Sequence, residues 1–223
     1  HFGLVSFVDN DLIDRSGPLS GGVVHTQAVT LRAAFARVKA TFTNADRNPG
    51  DGPQGPTLQN PICEENAIDA LYDAAERFPW RPNANRVIII ATDDTFLERP
   101  DNYGDRDGDG KTDKKDFPRE GDYPARRTFV ETKKILKDAK VRVFAFTRLI
   151  PPGPFDPRRC GTGRRLPWSS VSAGWSAPYA GKAPLPGETG GKNFDIDKVF
   201  LKGLSMTQTI NDMVLDSQCK PIK

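Results

Sequence analysis

Two apolar runs, RVIIIA at Arg86–Ala91 and VRVFAFT at Val141–Thr147, constrain the fold most tightly. Runs of six or seven residues without polar alternation are the signature of strands covered on both faces in a parallel sheet. Parallel strands need long crossovers, and the residues between and around these two supply helical periods. Residues 64 to 78 place Ile68, Leu71, Tyr72 and Ala75 on one helical face, with acidic residues near the start where the macrodipole favours them. Residues 128 to 139 do the same with Phe129, Ile135 and Leu136.

The rest of the chain extends this alternation. Phe2 to Val8 is expected as a strand, His25 to Leu31 as a second, and Ala33 to Phe42 as a helix with Phe35, Val38 and Phe42 at helical spacing. A short strand is expected at Asn193 to Ile196, then one closing helix from Val199 to Leu215 that offers Leu201, Leu204, Ile210, Met213 and Val214 for burial. Gly, Pro and Asn make residues 44 to 61 a loop, and the Pro- and Gly-rich residues 149 to 191 have little period. Strands alternating with amphipathic helices predict a single α/β domain over residues 1–223, three-layered and Rossmann-like, with a mostly parallel central sheet flanked by helices.

Composition removes functions. Lys+Arg 32 against Asp+Glu 29 leaves a net charge of +3, too small for a nucleic-acid footprint, and no basic stripe interleaves with aromatics. Two His supply a zinc enzyme or a Ser-His-Asp hydrolase poorly. No run approaches the roughly 18 apolar residues of a membrane-spanning helix. Cys63, Cys160 and Cys219 are too far apart for a zinc motif and odd in number, so one disulfide with a free thiol, or pairing outside this chain, is expected.

Two acidic features remain. Ligands of open α/β sheets gather beyond the carboxyl ends of the strands, and Thr92-Asp93-Asp94 stands there, directly after RVIIIA. Glu64-Glu65-Asn66 opens the preceding helix. Two acidic loops on one rim call for a cation or a cationic partner between them; a helix N-cap beside a solvated loop explains the same residues. Separately, DRDGDGKTDKKD puts Asp105, Asp107 and Asp109 at positions one, three and five of a calcium loop, with Gly110 at six. Lys111 offers its carbonyl at seven, Asp113 falls at nine and Asp116 at twelve. Five Asp around a glycine repel one another without a cation, so Ca²⁺ is expected in this insertion, residues 94–123.

Glu65 to Asp94, ENAIDALYDAAERFPWRPNANRVIIIATDD, resembles the helix-then-strand centre of a von Willebrand factor A domain, and most closely the I-like domain of integrin β subunits. The resemblance rests on Glu65, Asn66-Ala67, Ile68-Asp69-Ala70-Leu71, Trp80-Arg81 and Thr92-Asp93. FGLVSFVDN is similar to the family's second strand, HTQAVTLRAAFARVKATF to its third strand and following helix, and TGGKNFDI to its last strand. The resemblance implies an adhesion site for Mg²⁺ or another divalent cation, with Glu65 as second-loop ligand and Asp93 as third-loop carboxylate. It also implies a protein or surface ligand that offers a carboxylate to the metal.

The family's first-loop Asp-x-Ser-x-Ser run is not in this sequence. Either the first strand and its loop lie upstream of His1, or the site is degenerate. The expected function is cell-surface adhesion or protein interaction rather than catalysis, as in bacterial gliding-motility or pilus-type adhesins. The expected location is extracellular or at the cell surface, with outer-membrane anchoring as one arrangement. A non-adhesive scaffold A domain and, third, a metal-dependent hydrolase are the alternatives.

Lesser features have ordinary readings. Gly161-Thr162-Gly163 and Gly190-Gly191 read as turns, and Arg158, Arg159, Arg164 and Arg165 as a solvated loop or a partner surface. Trp168, Trp175 and Tyr179 either cap the core or form an exposed contact.

Overall fold

The computed structural model describes residues 1–8, 11–45, 65–99, 125–149 and 171–219. They fall into two compact units, one drawn from residues 1–79 and 96–132, the other from 80–95, 133–149 and 171–219.

The second unit is built on a three-stranded parallel sheet, in the order β3 (Arg86–Ala91), β4 (Val141–Thr147), β5 (Asn193–Asp195). Arg86 pairs with Val141 through to Ala91 with Phe146, and Ala145 to Thr147 pair with Asn193 to Asp195. All seven residues of β4 are buried because it has a strand on each side. Among the described residues β3 is an edge strand, and there the expectation of cover on both faces fails: of its six residues Ile90 alone is buried, and Ile89 is 41% exposed. An apolar run alone does not tell a central strand from an edge.

Helices pack against this sheet: α4 (Leu185–Glu188) and α5 (Ile196–Phe200) both contact β4. Phe144, Phe146, Ile196 and Met213 form a buried cluster, joined by half-buried Phe194 and Ile210. The Phe146 and Phe194 rings stack with centroids 5.3 Å apart. Trp175 is 1% exposed, so of the two readings open for it the core is correct.

The expected closing helix is two helices, α5 and α6 (Met206–Cys219). Lys202 takes a left-handed φ of 58°, and the Gly203 and Leu204 amides both donate to the Lys198 carbonyl, closing α5. Ser205 then accepts from the Gln208 amide at 3.2 Å and starts α6. The break rotates the apolar residues out of one stripe. Met213 is buried, whereas Leu201 is 81% exposed and Val214 is also exposed.

In the first unit, β1 (Val5–Phe7) pairs antiparallel with β2 (Asp11–Ile13), a strand too short to stand out in sequence. The strand expected at His25 to Leu31 is not formed. His25 makes a single antiparallel bridge to Phe2, and α1 (Ala28–Ala45) begins three residues later. Thr26, Val29 and Thr30 mimic a strand by their branching, but the Leu31 amide donates to the Gln27 carbonyl and the helix runs on. Among its described side chains Ala34 is buried and Phe35 is exposed.

α2 (Ala67–Arg77) contacts both β1 and β2. Asn66 caps it, accepting from the Asp69 amide and donating to its carboxylate at 3.0 Å. The expected apolar face is present, with Ile68, Leu71 and Ala75 buried and Tyr72 half-buried. Asp69 and Asp73 are buried as well, which the pattern did not signal. α3 (Phe129–Asp138) opens with Phe129 stacked on Phe96 at 5.5 Å in the first unit, and its Leu136 is buried in the second.

Candidate functional site

The carboxyl ends of all three parallel strands carry charge within the second unit. Thr92 extends β3 by one ladder bond, its amide donating to the Phe146 carbonyl at 3.1 Å. The next two residues diverge. Asp94 is 5% exposed and accepts from the Thr95 amide at 2.8 Å, a local turn that spends its carboxylate inside the protein. Asp93 points outward, with its side chain 40% exposed and one oxygen 3.5 Å from the Arg148 guanidinium.

Arg148 follows β4 directly and is largely covered. Its Nε lies 3.4 Å from a carboxylate oxygen of Asp197, in the first turn of α5 just after β5. Asp195 caps that helix by accepting from the Asp197 amide at 3.1 Å. Asn193, the first residue of β5, donates to the hydroxyl of Thr147, the last residue of β4, at 2.7 Å. The rim is therefore carboxylate, guanidinium, carboxylate: Asp93, Arg148, Asp197.

Sequence reading found Asp93 and missed the other two. Both obey the same rule, being charged residues just beyond a parallel strand, but only the order β3-β4-β5 makes them neighbours.

Glu65 belongs to the first unit and Asp93 to the second. Glu65 forms a parallel bridge with Phe96, and its carbonyl accepts from the Leu97 amide at 3.0 Å. Its side chain is half-buried. The calcium-loop residues Asp105, Asp107, Asp109, Lys111, Asp113 and Asp116 lie outside the described residues, as do Cys63 and Cys160.

Among the described residues, no group of three or more His, Cys, Asp or Glu is placed to hold a metal ion. The donor chemistry at the rim still suits a hard cation, because Asp93 and Asp197 offer carboxylate oxygens and already share a positive group. A metal on Asp93 would compete with Arg148 for the same oxygens.

Two other titratable clusters stand out, both in the first unit. Asp14 accepts from His25 Nε2 at 2.9 Å and from the Ser16 hydroxyl at 2.6 Å, with Arg37 also in reach. Burial alone would raise the Asp14 carboxyl, but Ser16, His25 and Arg37 outweigh it and hold it below the usual carboxylate range. The trio is not a hydrolytic triad. Ser16 and His25 both bind the Asp, whereas a nucleophile must hand its proton to the His.

The second cluster joins Asp11 of β2, Asp69 and Asp73 of α2, and Arg126 from the segment before α3. All three carboxylates are fully buried or nearly so. Arg126 bonds Asp11, reaches Asp69 at 3.2 Å through Nε and Asp73 at 3.3 Å through Nη2. Asp69 also accepts the Arg126 and Arg127 amides, each at 2.9 Å. Arg77 binds Asp73 at 2.7 Å. Burial, with Asp73 next in weight, pushes the Asp11 carboxyl up to about 7 despite Arg126.

No family model, no curated protein and no solved structure matches this chain. No helix among the described residues is long and apolar enough to cross a membrane.

Proposed function

We propose that this chain is a protein-interaction module with a von Willebrand factor A fold, working in adhesion at a cell surface. It binds a protein or surface ligand through a divalent cation at the carboxyl end of its parallel sheet. The observation that carries this reading is Asp93, half-exposed just past β3 and held by a counter-charge from the next strand. The resemblance of residues 65 to 94 supplies the rest: Glu65 as a second ligand, and a partner carboxylate at the metal's open position. Mg²⁺, which keeps part of its water and prefers carboxylate oxygen, has the chemistry for that role.

The same reading makes Asp105 to Asp116 a structural calcium loop and binding, not turnover, the activity. An oxidising, extracellular setting suits both that loop and the cysteines. Residue usage and the calcium insertion make bacterial gliding motility or pilus-type attachment the biological context of this reading.

Calorimetric titration of the folded chain with Mg²⁺ tests it. Asp93→Ala and Glu65→Ala are each expected to weaken binding by about tenfold or more, the scale for loss of a ligand or its support. Unchanged Mg²⁺ binding in both variants would sink the reading.

Arg148→Met is expected to act in the opposite direction. Removing a positive charge 3.5 Å from Asp93 frees its oxygens, and Mg²⁺ affinity should rise by about tenfold, or ~1.4 kcal/mol. If the variant binds Mg²⁺ no better than wild type, Arg148 does not compete at this rim.

A further inference from the structure

The turn that joins α5 to α6 carries side chains that the core of the second unit does not use. On either side of it, Val199 and Leu204 pack half-buried against the cluster of Phe144, Phe146, Ile196 and Met213. Between them Phe200 and Leu201 are 71% and 81% exposed, and among the described residues no large apolar side chain is more exposed. Single apolar side chains on a surface are ordinary. Here an aromatic and an aliphatic residue stand together at a helix end that Val199 and Leu204 already hold to the core.

The same turn is cationic and tightly closed. The Gly203 amide donates to the Lys198 carbonyl at 2.8 Å and the Lys202 amide to the Val199 carbonyl at 3.1 Å, the paired bonds of a Schellman turn. Such a turn needs one left-handed residue, and that residue is Lys202, with φ 58°. Glycine is favoured there because a Cβ is penalised, yet the chain keeps a lysine and places its glycine one residue later. Lys198 and Lys202 bracket Phe200 and Leu201, and both are exposed. Asp197 is turned to Arg148, and the first turn of α6 has no acidic residue. Among the described residues no acid pairs with either lysine.

We propose that residues 198–202 form a tip that seats on an anionic lipid surface. Phe200 and Leu201 enter the headgroup region, and Lys198 and Lys202 meet the lipid phosphates. Charge and size select this occupant. Two lysines with no acid between them complement an anionic surface. A stable contact with a protein, or with a second copy of this chain, takes about 800 Å² from each side, far more than two side chains offer. A bilayer needs no matching shape, only apolar side chains beside basic ones. The contact is reversible, weaker than that of a single acyl chain. It does not depend on the metal reading of the rim.

Sedimentation of the full chain with lipid vesicles tests the proposal, in chelator so that no cation at the rim takes part. Vesicles of equal parts phosphatidylcholine and phosphatidylglycerol should bind it about tenfold more tightly than pure phosphatidylcholine, with the difference shrinking as salt rises. Phe200→Ser and Leu201→Ser, which leave the net charge unchanged, should each weaken that binding by about tenfold, the scale for one large apolar side chain. Lys202→Gly separates the tip from the fold. It should raise the folding constant by about fivefold, by removing the left-handed lysine, yet weaken binding to the anionic vesicles by about fivefold. No binding to the anionic vesicles, equal binding to both kinds, or variants that bind as wild type does would each overturn the proposal. So would a lipid-free dimer, seen by sedimentation velocity, that Leu201→Ser abolishes, because a second copy would then cover the tip.

Discussion

Arg126→Met is expected to destabilise the first unit by about 3–5 kcal/mol, the scale for removing one partner from a buried charge group. The reason is what stays behind. Asp11, Asp69 and Asp73 remain gathered where Arg126 held them, nearly inaccessible to water, with Arg77 still bound to Asp73. Met fills much of the same volume, so the loss measures charge and hydrogen bonding rather than a cavity. Arg126→Lys should recover part of it, because one ammonium cannot address three carboxylates as a guanidinium fork does. Arg77→Met is the control. Its bond to Asp73 leaves it one-third exposed, so its loss should stay near 1 kcal/mol. Urea denaturation of the three variants checks the order, and a loss below about 1 kcal/mol for Arg126→Met would mean the cluster is not held by charge. Because protonation relieves the same repulsion, the Arg126→Met deficit should shrink as pH falls.

Gly191→Ala is the second large effect. A Cβ at this position would stand 1.8 Å from the Val143 carbonyl oxygen and 2.6 Å from its carbon. Both atoms are backbone of the central strand and cannot move aside without breaking the sheet. The Lys192 carbonyl accepts from the Ala145 amide at 2.9 Å, so pushing residue 191 outward strips β5 from β4 at its first bond. A loss of at least about 3 kcal/mol is expected, the upper end for overpacking in a core. Gly181→Ala separates space from conformation, since it has a left-handed φ of 73° and nothing within 4 Å. It should cost only about 1–2 kcal/mol. Equal losses for the two would show that the approach to Val143 is not what selects glycine. Since Asp195 and Asp197 hang from β5, Gly191→Ala should also release Arg148 from Asp197.

The same contrast runs through what could be read in advance. RVIIIA and VRVFAFT were legible as strands to the residue, because five apolar residues in a run of six or seven admit few alternatives. α2 and α3 were legible to within about three residues from their 3.6-residue period. β2 was not, since three residues, DLI, become a strand only by pairing with Val5–Phe7. The stop at Gly203 and start at Ser205 were present as signals, but the apolar period running across them read as one helix. At the site, Asp93 was legible by position. Arg148 and Asp197 were equally placed, yet nothing local says that the ends of β4 and β5 lie beside each other.

The amino-acid sequence by itself determined which segments are strands and helices at the centre of the chain, and which strand ends carry charge. These depend on the side-chain period over ten or so residues, which the chain holds locally. Tertiary structure alone decided that β4 lies between β3 and β5, and that Arg148 stands between Asp93 and Asp197. It also decided that three aspartates from two elements converge on Arg126, 53 to 115 residues away. Burial and ion pairing are properties of the neighbours a residue acquires, and those neighbours come from distant parts of the chain.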